Sequence, residues 1–313
     1  MSETGRPQPQ GDLVLPLWPG TPPLQVDMGL EEVHERTDIL RISNVQIPQI
    51  EVFHADPERS TGMAAVILPG GGYRILAYEK GGSVFAKWMA SHGITAVVVK
   101  YRLPGSPSQT ERHSIPLLDA QRAIRLVRHH AAEWGIDPDK VGVMGSSAGG
   151  HLAATLSTQY DAVHPTFADS TWPADAIDAL PARPDFSVLV YPVVTFRDPH
   201  VHKGSRRNLI GEDLPLALVD RFSAHEQVTP QTPPTFLIHA QDDRSVPVEN
   251  SLLYYRALLE NGVSAQMHLY PDGGHGFGFG QGRGSVEGWP DLALIGWLRY
   301  WERKRAVSVG SGV

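Results

Sequence analysis

Short apolar runs alternate along this chain with segments in which apolar residues recur every three or four positions. Residues 64–68 and 94–100 are continuous apolar or β-branched runs, typical of strands buried on both faces. Between 117 and 134 the apolar residues line one side of a helix, which Gly135 ends. The alternation predicts an α/β fold, a mainly parallel sheet flanked by helices on both faces.

The same pattern places the other elements and the domain boundaries. We predict further strands at 38–54 (two, broken near Pro48), 140–144, 186–191, 235–240 and 265–270, and helices at 81–92, 148–158, 247–261 and 289–304. Residues 1–23 are rich in proline and glycine and predict a flexible arm, followed by a single domain over 24–313. Insertions are expected near 160–185 and 195–232. They either lie on the surface or wall a substrate pocket, and the sequence leaves both possibilities open.

Composition narrows the classes of partner. The chain has no cysteine, which excludes disulfides, thiolate catalysis and Cys-ligated metals. The net charge is −7 and no basic run is present, so we expect no nucleic-acid partner. There is no secretory pattern at the start and no apolar run long enough for a bilayer, so we expect a soluble, cytoplasmic protein without membrane contact. A signal removed earlier would leave secretion open, and the oligomeric state is open as well.

The central chemical signal is the segment Gly145-Ser146-Ser147-Ala148-Gly149. It matches G-x-S-x-G with Ser147 in the middle, between a predicted strand and a predicted helix. That setting presents a serine hydroxyl on a sharp turn, while the helix N-terminus offers N–H groups to a developing oxyanion. Ser147 is therefore the candidate nucleophile.

A serine nucleophile needs a base and an orienting carboxylate, which in this fold follow in the order serine, acid, histidine. His275 lies in a glycine-rich loop directly after strand 265–270, whereas His239 and His268 lie within predicted strands. The acid is expected after strand 235–240. We choose Asp243, three residues before Val246, with the adjacent Asp242 as the alternative.

The oxyanion requires two converging N–H donors. One is expected from the backbone of Ala148, the residue after the nucleophile. The other is expected from the loop after strand 64–68, where Pro69 is followed by three glycines, Gly70, Gly71 and Gly72. Consecutive glycines let the backbone approach a substrate closely.

Four motifs in this order, PGGGY, GSSAGGH, HAQDDRSVP and GGHGF, resemble those of α/β-hydrolase esterases. More narrowly they are similar to the acetyl-xylan and feruloyl esterase (BD-FAE-like) branch, near the hormone-sensitive-lipase-like esterases. The resemblance implies the triad Ser147, Asp243 and His275, and favours Asp243 over Asp242. It implies oxyanion donors at Gly71, Gly72 and Ala148. Relatives often carry histidine where this chain has Pro69.

These features together predict a serine carboxylic-ester hydrolase that works through an acyl-enzyme without a cofactor or metal ion. The resemblance implies a small ester or an acetylated carbohydrate as substrate, with removal of acetyl groups from xylan or a sugar. A general short-chain carboxylesterase is the alternative within the same class. A non-catalytic α/β-hydrolase used for binding is the alternative from another class, although such proteins usually lose a triad member.

Overall fold

The apolar runs of the sequence become the strands of one large sheet. In the computed structural model, residues 10–162, 174–293 and 296 are described. Their strands are β1 (Leu13–Pro16), β2 (Val33–Arg36), β3 (Leu40–Ser43), β4 (Gln49–Phe53), β5 (Met63–Leu68), β6 (Leu76–Ala77), β7 (Ile94–Lys100), β8 (Val141–Ser146), β9 (Ser187–Val190), β10 (Thr235–Ala240) and β11 (Ala265–Tyr270). Their helices are α1 (Val84–Ser91), α2 (Ile115–His129), α3 (Ala148–Thr158), α4 (Lys203–Ile210), α5 (Leu216–Arg221) and α6 (Glu249–Glu260).

Eight of these strands form the main sheet, in the order β1-β4-β7-β5-β8-β9-β10-β11. Strands β1, β4 and β7 pair antiparallel, and from β7 to β11 all pairings are parallel. Every residue of β5, β7, β8, β9 and β10 is buried, as expected for mostly apolar strands that are covered on both faces. The sheet is therefore mainly parallel with helices packed on it, and the predicted α/β-hydrolase fold is confirmed.

A second, smaller sheet was not predicted from the sequence. It has three strands in the order β2-β3-β6, and its pairings are antiparallel. Strand β2 alternates between exposed and half-buried residues, and β6 has only two residues. Elements this short give too little periodicity to be recognised in a sequence.

The prediction of a loose arm over 1–23 is wrong for its described part. Residues Leu13–Pro16 pair with β4 at the edge of the main sheet. Leu17 and Trp18 are buried, and the Trp18 indole N–H donates to Asp119 Oδ1 at 2.8 Å. Proline and glycine suggested a disordered segment, but two large apolar side chains and one strand pairing anchor it to the core. Residues 1–9 lie outside the described part.

Other boundaries differ in smaller ways. Helix α2 ends at His129, five residues before the predicted end, and a π-helical turn at Glu79–Ser83 precedes α1. The predicted insertion at 195–232 contains α4, α5 and a short 3-10 turn at Ala224–Gln227. Part of the other insertion, 163–173, lies outside the described residues. So does most of the predicted last helix, of which only 289–293 and 296 are described, all helical.

Within the described residues, no helix combines the length and the apolar character that crossing a bilayer requires.

Candidate active site

Ser147 occupies the sharp turn between β8 and α3. Its backbone has φ 56° and ψ −122°, a conformation that side-chain-bearing residues rarely adopt. Two hydrogen bonds hold this turn against the neighbouring segment: Ser147 N–H donates to Val190 O at 3.0 Å, and Val193 N–H donates to Ser147 O at 3.0 Å. The side chain is thereby presented at the carboxyl edge of the sheet, in line with the N-terminus of α3.

Two glycines make this turn possible because other parts of the backbone lie directly against them. A Cβ on Gly145 would collide with Gly149 O, and a Cβ on Gly149 would collide with the carbonyl oxygens of Leu68 and Pro69. The first contact is between the two ends of the turn. The second brings the start of α3 against the end of β5. The G-x-S-x-G spacing thus reflects close backbone packing on both sides of the serine.

His275 lies within hydrogen-bond distance of Ser147. Its Nε2 is 2.9 Å from Ser147 Oγ, and its Nδ1 is 2.7 Å from Asp243 Oδ2. A carboxylate accepts but cannot donate, so Nδ1 carries the proton and Nε2 presents its lone pair to the serine hydroxyl. The residues come from three separate loops, following β8, β10 and β11. Each loop leaves the same edge of the parallel sheet.

The Asp243 carboxylate is held ionised in a buried place. Its side chain is fully buried, and Oδ1 accepts the N–H groups of Ser245 and Val246 at 2.9 Å each. Burial by itself would raise the pKa of this carboxyl. The hydrogen bonds from His239, His275 and Val246 outweigh it and hold the pKa well below its usual range. Asp243 therefore stays charged at neutral pH and can stabilise an imidazolium at His275.

Asp242, the alternative acid, has a different contact. Its Oδ1 accepts the N–H of Gly274 at 2.7 Å, so it holds the loop that carries His275 without contacting the imidazole. The geometry thus favours Asp243 as the orienting carboxylate and gives Asp242 a separate part in shaping the loop.

The glycine loop after β5 has all four of its carbonyl groups bonded. The oxygen of Pro69 accepts from Tyr101 Oη at 2.7 Å, and that of Gly70 from Ala77 N–H at 2.8 Å. The oxygen of Gly71 accepts from the N–H groups of residues 74 and 75, and that of Gly72 from Asn208 Nδ2 at 2.7 Å. The loop's carbonyl oxygens are therefore anchored, which fixes the orientation of its peptide planes.

The same loop packs against Ser147 at Gly70. A Cβ added to Gly70 would meet Ser147 Cβ at 3.1 Å, which places the loop against the serine. Among the described residues, the N–H groups of Gly71, Gly72 and Ala148 have no protein acceptor. Unpaired N–H groups next to a nucleophile are what an oxyanion hole needs. The structure thus brings the three predicted donors into the neighbourhood of Ser147.

Sequence reasoning missed several residues that support this arrangement. His239 Nε2 lies 3.3 Å from Asp243 Oδ2 and 3.0 Å from Val246 O. The Tyr191 ring packs edge-on against the His275 ring, with centroids 5.0 Å apart. A histidine within the otherwise apolar strand 235–240 was a usable signal for His239. Asn208 had none, because its partner Gly72 is 136 positions away.

No group of three or more potential metal ligands occurs in the described part of the chain. His200 and His202 are two positions apart in the sequence, but their imidazoles contact different residues. His200 Nδ1 lies 3.7 Å from Glu249, whereas His202 Nδ1 accepts the N–H of Ser205 at the start of α4. The contact of His202 is local, whereas that of His200 joins positions 49 residues apart.

Comparisons with known proteins identify relatives of this chain. The chain is 37% identical over 228 residues to an acetylxylan esterase of Xylanibacter ruminicola, and 34% identical over 214 residues to endo-1,4-beta-xylanase B of Butyrivibrio fibrisolvens. These matches cover 72% and 67% of this chain. They cover 43% and 32% of the two relatives, so the chain spans less than half of either.

One solved structure matches most of this chain over most of its own length. The acetyl ester-xyloside bifunctional hydrolase from Caldicellulosiruptor lactoaceticus superimposes with a TM-score of 0.77 at 34% identity. The superposition covers 94% of this chain and 97% of that one. The BD-FAE family model matches residues 51–258, which run from within β4 into α6 and include Ser147 and Asp243. The chain belongs to the BD-FAE family of α/β-hydrolases.

Proposed function

We propose that this protein is a serine carboxylic-ester hydrolase in which Ser147, His275 and Asp243 form the catalytic triad. The observation that carries the proposal is the hydrogen-bond series from Ser147 Oγ through the His275 imidazole to the Asp243 carboxylate, with distances of 2.9 and 2.7 Å. The names of the relatives support the reaction class. The unpaired N–H groups beside the serine support an oxyanion intermediate.

The first half of the proposed reaction forms an acyl-enzyme. His275 Nε2 takes the proton of the Ser147 hydroxyl while Oγ bonds to the ester carbonyl carbon. The carbonyl electron pair moves to its oxygen, where the N–H groups of Gly71, Gly72 and Ala148 stabilise the negative charge. The intermediate collapses as His275 gives its proton to the alcohol oxygen. The carbon–oxygen bond breaks and the alcohol leaves.

The second half frees the acyl group. A water molecule gives a proton to His275 Nε2, and its oxygen attacks the acyl-enzyme carbonyl carbon. The second tetrahedral intermediate uses the same N–H donors. Its collapse returns the proton to Ser147 Oγ and releases the carboxylic acid. Asp243 remains ionised throughout and stabilises the imidazolium in both halves. The scheme uses only this chain's groups, the ester and water.

We propose acetyl groups on a carbohydrate, such as acetylated xylan, as the substrate class. The names of an acetylxylan esterase and an acetyl ester-xyloside hydrolase among the relatives support this choice. A panel of p-nitrophenyl esters of increasing chain length, beside acetate release from acetylated xylan, tests it. We expect the acetate ester and the xylan to be preferred. A preference for butyrate or longer would replace this proposal with a general carboxylesterase.

The catalytic assignment is tested by Ser147→Ala, with Ser146→Ala as the matched control. Ser146 ends β8 directly before Ser147, and of these two side chains only that of Ser147 is hydrogen-bonded to His275 in the described structure. We expect Ser147→Ala to lower kcat for p-nitrophenyl acetate by roughly 10⁴-fold or more, because the covalent intermediate cannot form. Ser146→Ala is expected to stay within about tenfold of the parent. Retained turnover in a pure Ser147→Ala sample would contradict the proposal and favour a non-catalytic serine.

A further inference from the structure

The residue that follows the glycine loop, Tyr73, is tied to the helix that begins at the nucleophile. Its side chain is 1% exposed, and its backbone φ is +59°, unusual for a tyrosine. The Tyr73 hydroxyl lies 2.8 Å from Nδ1 of His151, which belongs to α3. This hydrogen bond joins residues that are 78 positions apart in the sequence. It comes from a residue whose ring is buried and whose backbone conformation is rare. The position of the hydroxyl is therefore fixed both by the buried ring that carries it and by its hydrogen bond to His151.

The direction of this hydrogen bond follows from the other side of the imidazole. His151 Nε2 lies 2.7 Å from the carbonyl oxygen of Phe222, which can only accept. Nε2 therefore carries the proton, Nδ1 is an acceptor, and the Tyr73 hydroxyl donates to it. The ring also stacks on Phe196 with centroids 4.4 Å apart. Burial lowers the pKa of His151 to about 4, so the neutral ring and this tautomer persist at neutral pH.

The contacts of His151 connect the two sources of the proposed oxyanion donors. Ala148 lies three residues earlier on the same helix, and Gly72 immediately precedes Tyr73. Segment 195–232 contacts both the helix and the loop. Phe222 O accepts from His151 of α3, and Asn208 Nδ2 donates to Gly72 O of the glycine loop. A shift of the glycine loop away from α3 would break the Tyr73–His151 bond and leave a buried acceptor unpaired. The bond therefore resists a movement of the loop away from α3, which would separate the donors.

We propose that Tyr73 and His151 are positioning residues, which hold the N–H groups of Gly71 and Gly72 at the correct distance from that of Ala148. Neither side chain is given a direct part in bond making. The inference rests on the proposed esterase reaction. It adds that the bonds at the loop's carbonyl groups are not sufficient, and that oxyanion stabilisation also depends on the buried hydrogen bond between Tyr73 and His151.

Tyr73→Phe removes the donor and keeps the ring. We expect kcat for p-nitrophenyl acetate to fall about 10–100-fold, because a displacement of the order of 1 Å in a catalytic group costs a comparable factor. KM should stay within about twofold. The inhibition constant of a trifluoromethyl ketone, whose serine adduct carries an oxyanion, should rise by the same factor as kcat/KM falls.

The matched control is Tyr254→Phe. Tyr254 is also fully buried, and its hydroxyl has no hydrogen-bond partner among the described residues. It lies on α6, outside the proposed site. Its removal tests whether the loss of any buried hydroxyl lowers activity, and we expect kcat to remain unchanged. Melting temperatures of both variants show what fraction of each is folded in the assay.

Two substitutions at position 151 separate hydrogen bonding from packing. His151→Asn keeps an acceptor near the position of Nδ1, whereas His151→Leu fills the space without one. We expect His151→Asn to retain at least about tenfold more kcat than His151→Leu. This partial rescue would not arise if the site needed only bulk.

Three results would overturn the inference while leaving the proposed reaction intact. They are a Tyr73→Phe variant with the parent's kcat, a loss that appears only in KM, and equal kcat in the two position-151 variants. A parent protein that neither turns over p-nitrophenyl acetate nor reacts with a fluorophosphonate at Ser147 would overturn the proposed function, and this inference with it.

Discussion

At the residue scale, the adjacent carboxylates Asp242 and Asp243 show how neighbouring side chains of one kind come to differ. Asp243 points into the core, where it meets His275, His239 and two backbone N–H groups. Asp242 faces the other way and receives only the Gly274 N–H among the described contacts. The spacing to Val246 and the family resemblance favoured Asp243, but neither shows the direction of each side chain, which depends on the loop's backbone.

Asparagine substitution at each position separates the two roles. Asp243→Asn is expected to lower kcat about 10³–10⁴-fold, because an amide can no longer fix the Nδ1–H tautomer or stabilise the imidazolium. Asp242→Asn, which keeps an oxygen for the Gly274 N–H, is expected to lower kcat less than about tenfold. Steady-state kinetics on p-nitrophenyl acetate measures both. If Asp242→Asn lost more activity than Asp243→Asn, the acid would have to be reassigned.

Residue identities at this site were predictable where chemistry and chain order limit the choice. Few histidines follow Ser147 in a loop after a strand, so His275 stood out in the sequence. Tyr73 and His151 end the motifs PGGGY and GSSAGGH, but neither motif indicates what these side chains contact, and Asn208 stands in no motif. The contacts of the three residues join positions 78, 71 and 136 residues apart. Pairings over such distances are set by the completed fold.

At the element scale, the strand–turn–helix unit β8–α3 depends on close backbone contact with the end of β5. Gly149 sits at this contact, where a methyl group would meet two carbonyl oxygens. Backbone atoms cannot rotate away as a flexible side chain can, so α3 would have to shift. The shift would move Ala148 away from the glycine loop.

Gly149→Ala tests this dependence. We expect unfolding to become easier by about 1–3 kcal/mol, the usual cost of overpacking, and kcat to fall with it. The control is Gly105→Ala, because a Cβ at Gly105 meets nothing within 4 Å. Urea denaturation followed by fluorescence measures both variants. Equal stability of Gly149→Ala and the parent would contradict the close packing seen here.

The longer strands were predictable because each is a run of six or seven mostly apolar residues. The boundaries of β5, β7, β10 and β11 differ from the predicted ones by at most one residue. The four-residue strand β1 was missed because it is short and lies in a segment rich in proline and glycine, and its place in the sheet follows from pairing with β4. The bounds of α2 were misplaced because apolar residues continue beyond its last turn.

At the scale of the whole molecule, a buried ion pair attaches the N-terminal segment to the sheet. Asp119 of α2 accepts from the Trp18 indole and from the backbone and guanidinium of Arg102, which follows β7. Both charged side chains are fully buried. Arg102 also donates to Pro23 O at 2.6 Å. The Asp119 carboxylate thus connects two residues, Trp18 and Arg102, that are far apart in the sequence.

Asp119→Asn should therefore destabilise the protein globally. Removing one partner of a buried pair leaves the other charge uncompensated, and we expect a loss of about 3–5 kcal/mol in the free energy of unfolding. Glu260→Gln makes the same chemical change in the exposed pair with Arg256, and its effect should stay below about 1 kcal/mol. Chemical denaturation of both variants gives the comparison. Similar losses in the two would show that Asp119 does not hold the N-terminal segment in place.

The most direct measurement of the central proposal is covalent labelling with a fluorophosphonate, followed by peptide mapping. The reagent reacts with serines whose hydroxyl is activated by a neighbouring base. We predict one adduct, on Ser147, which disappears in Ser147→Ala, persists in Ser146→Ala and forms far more slowly in His275→Gln. An active protein that carries the adduct on another residue, or labels at an unchanged rate in His275→Gln, would contradict the assignment of nucleophile and base.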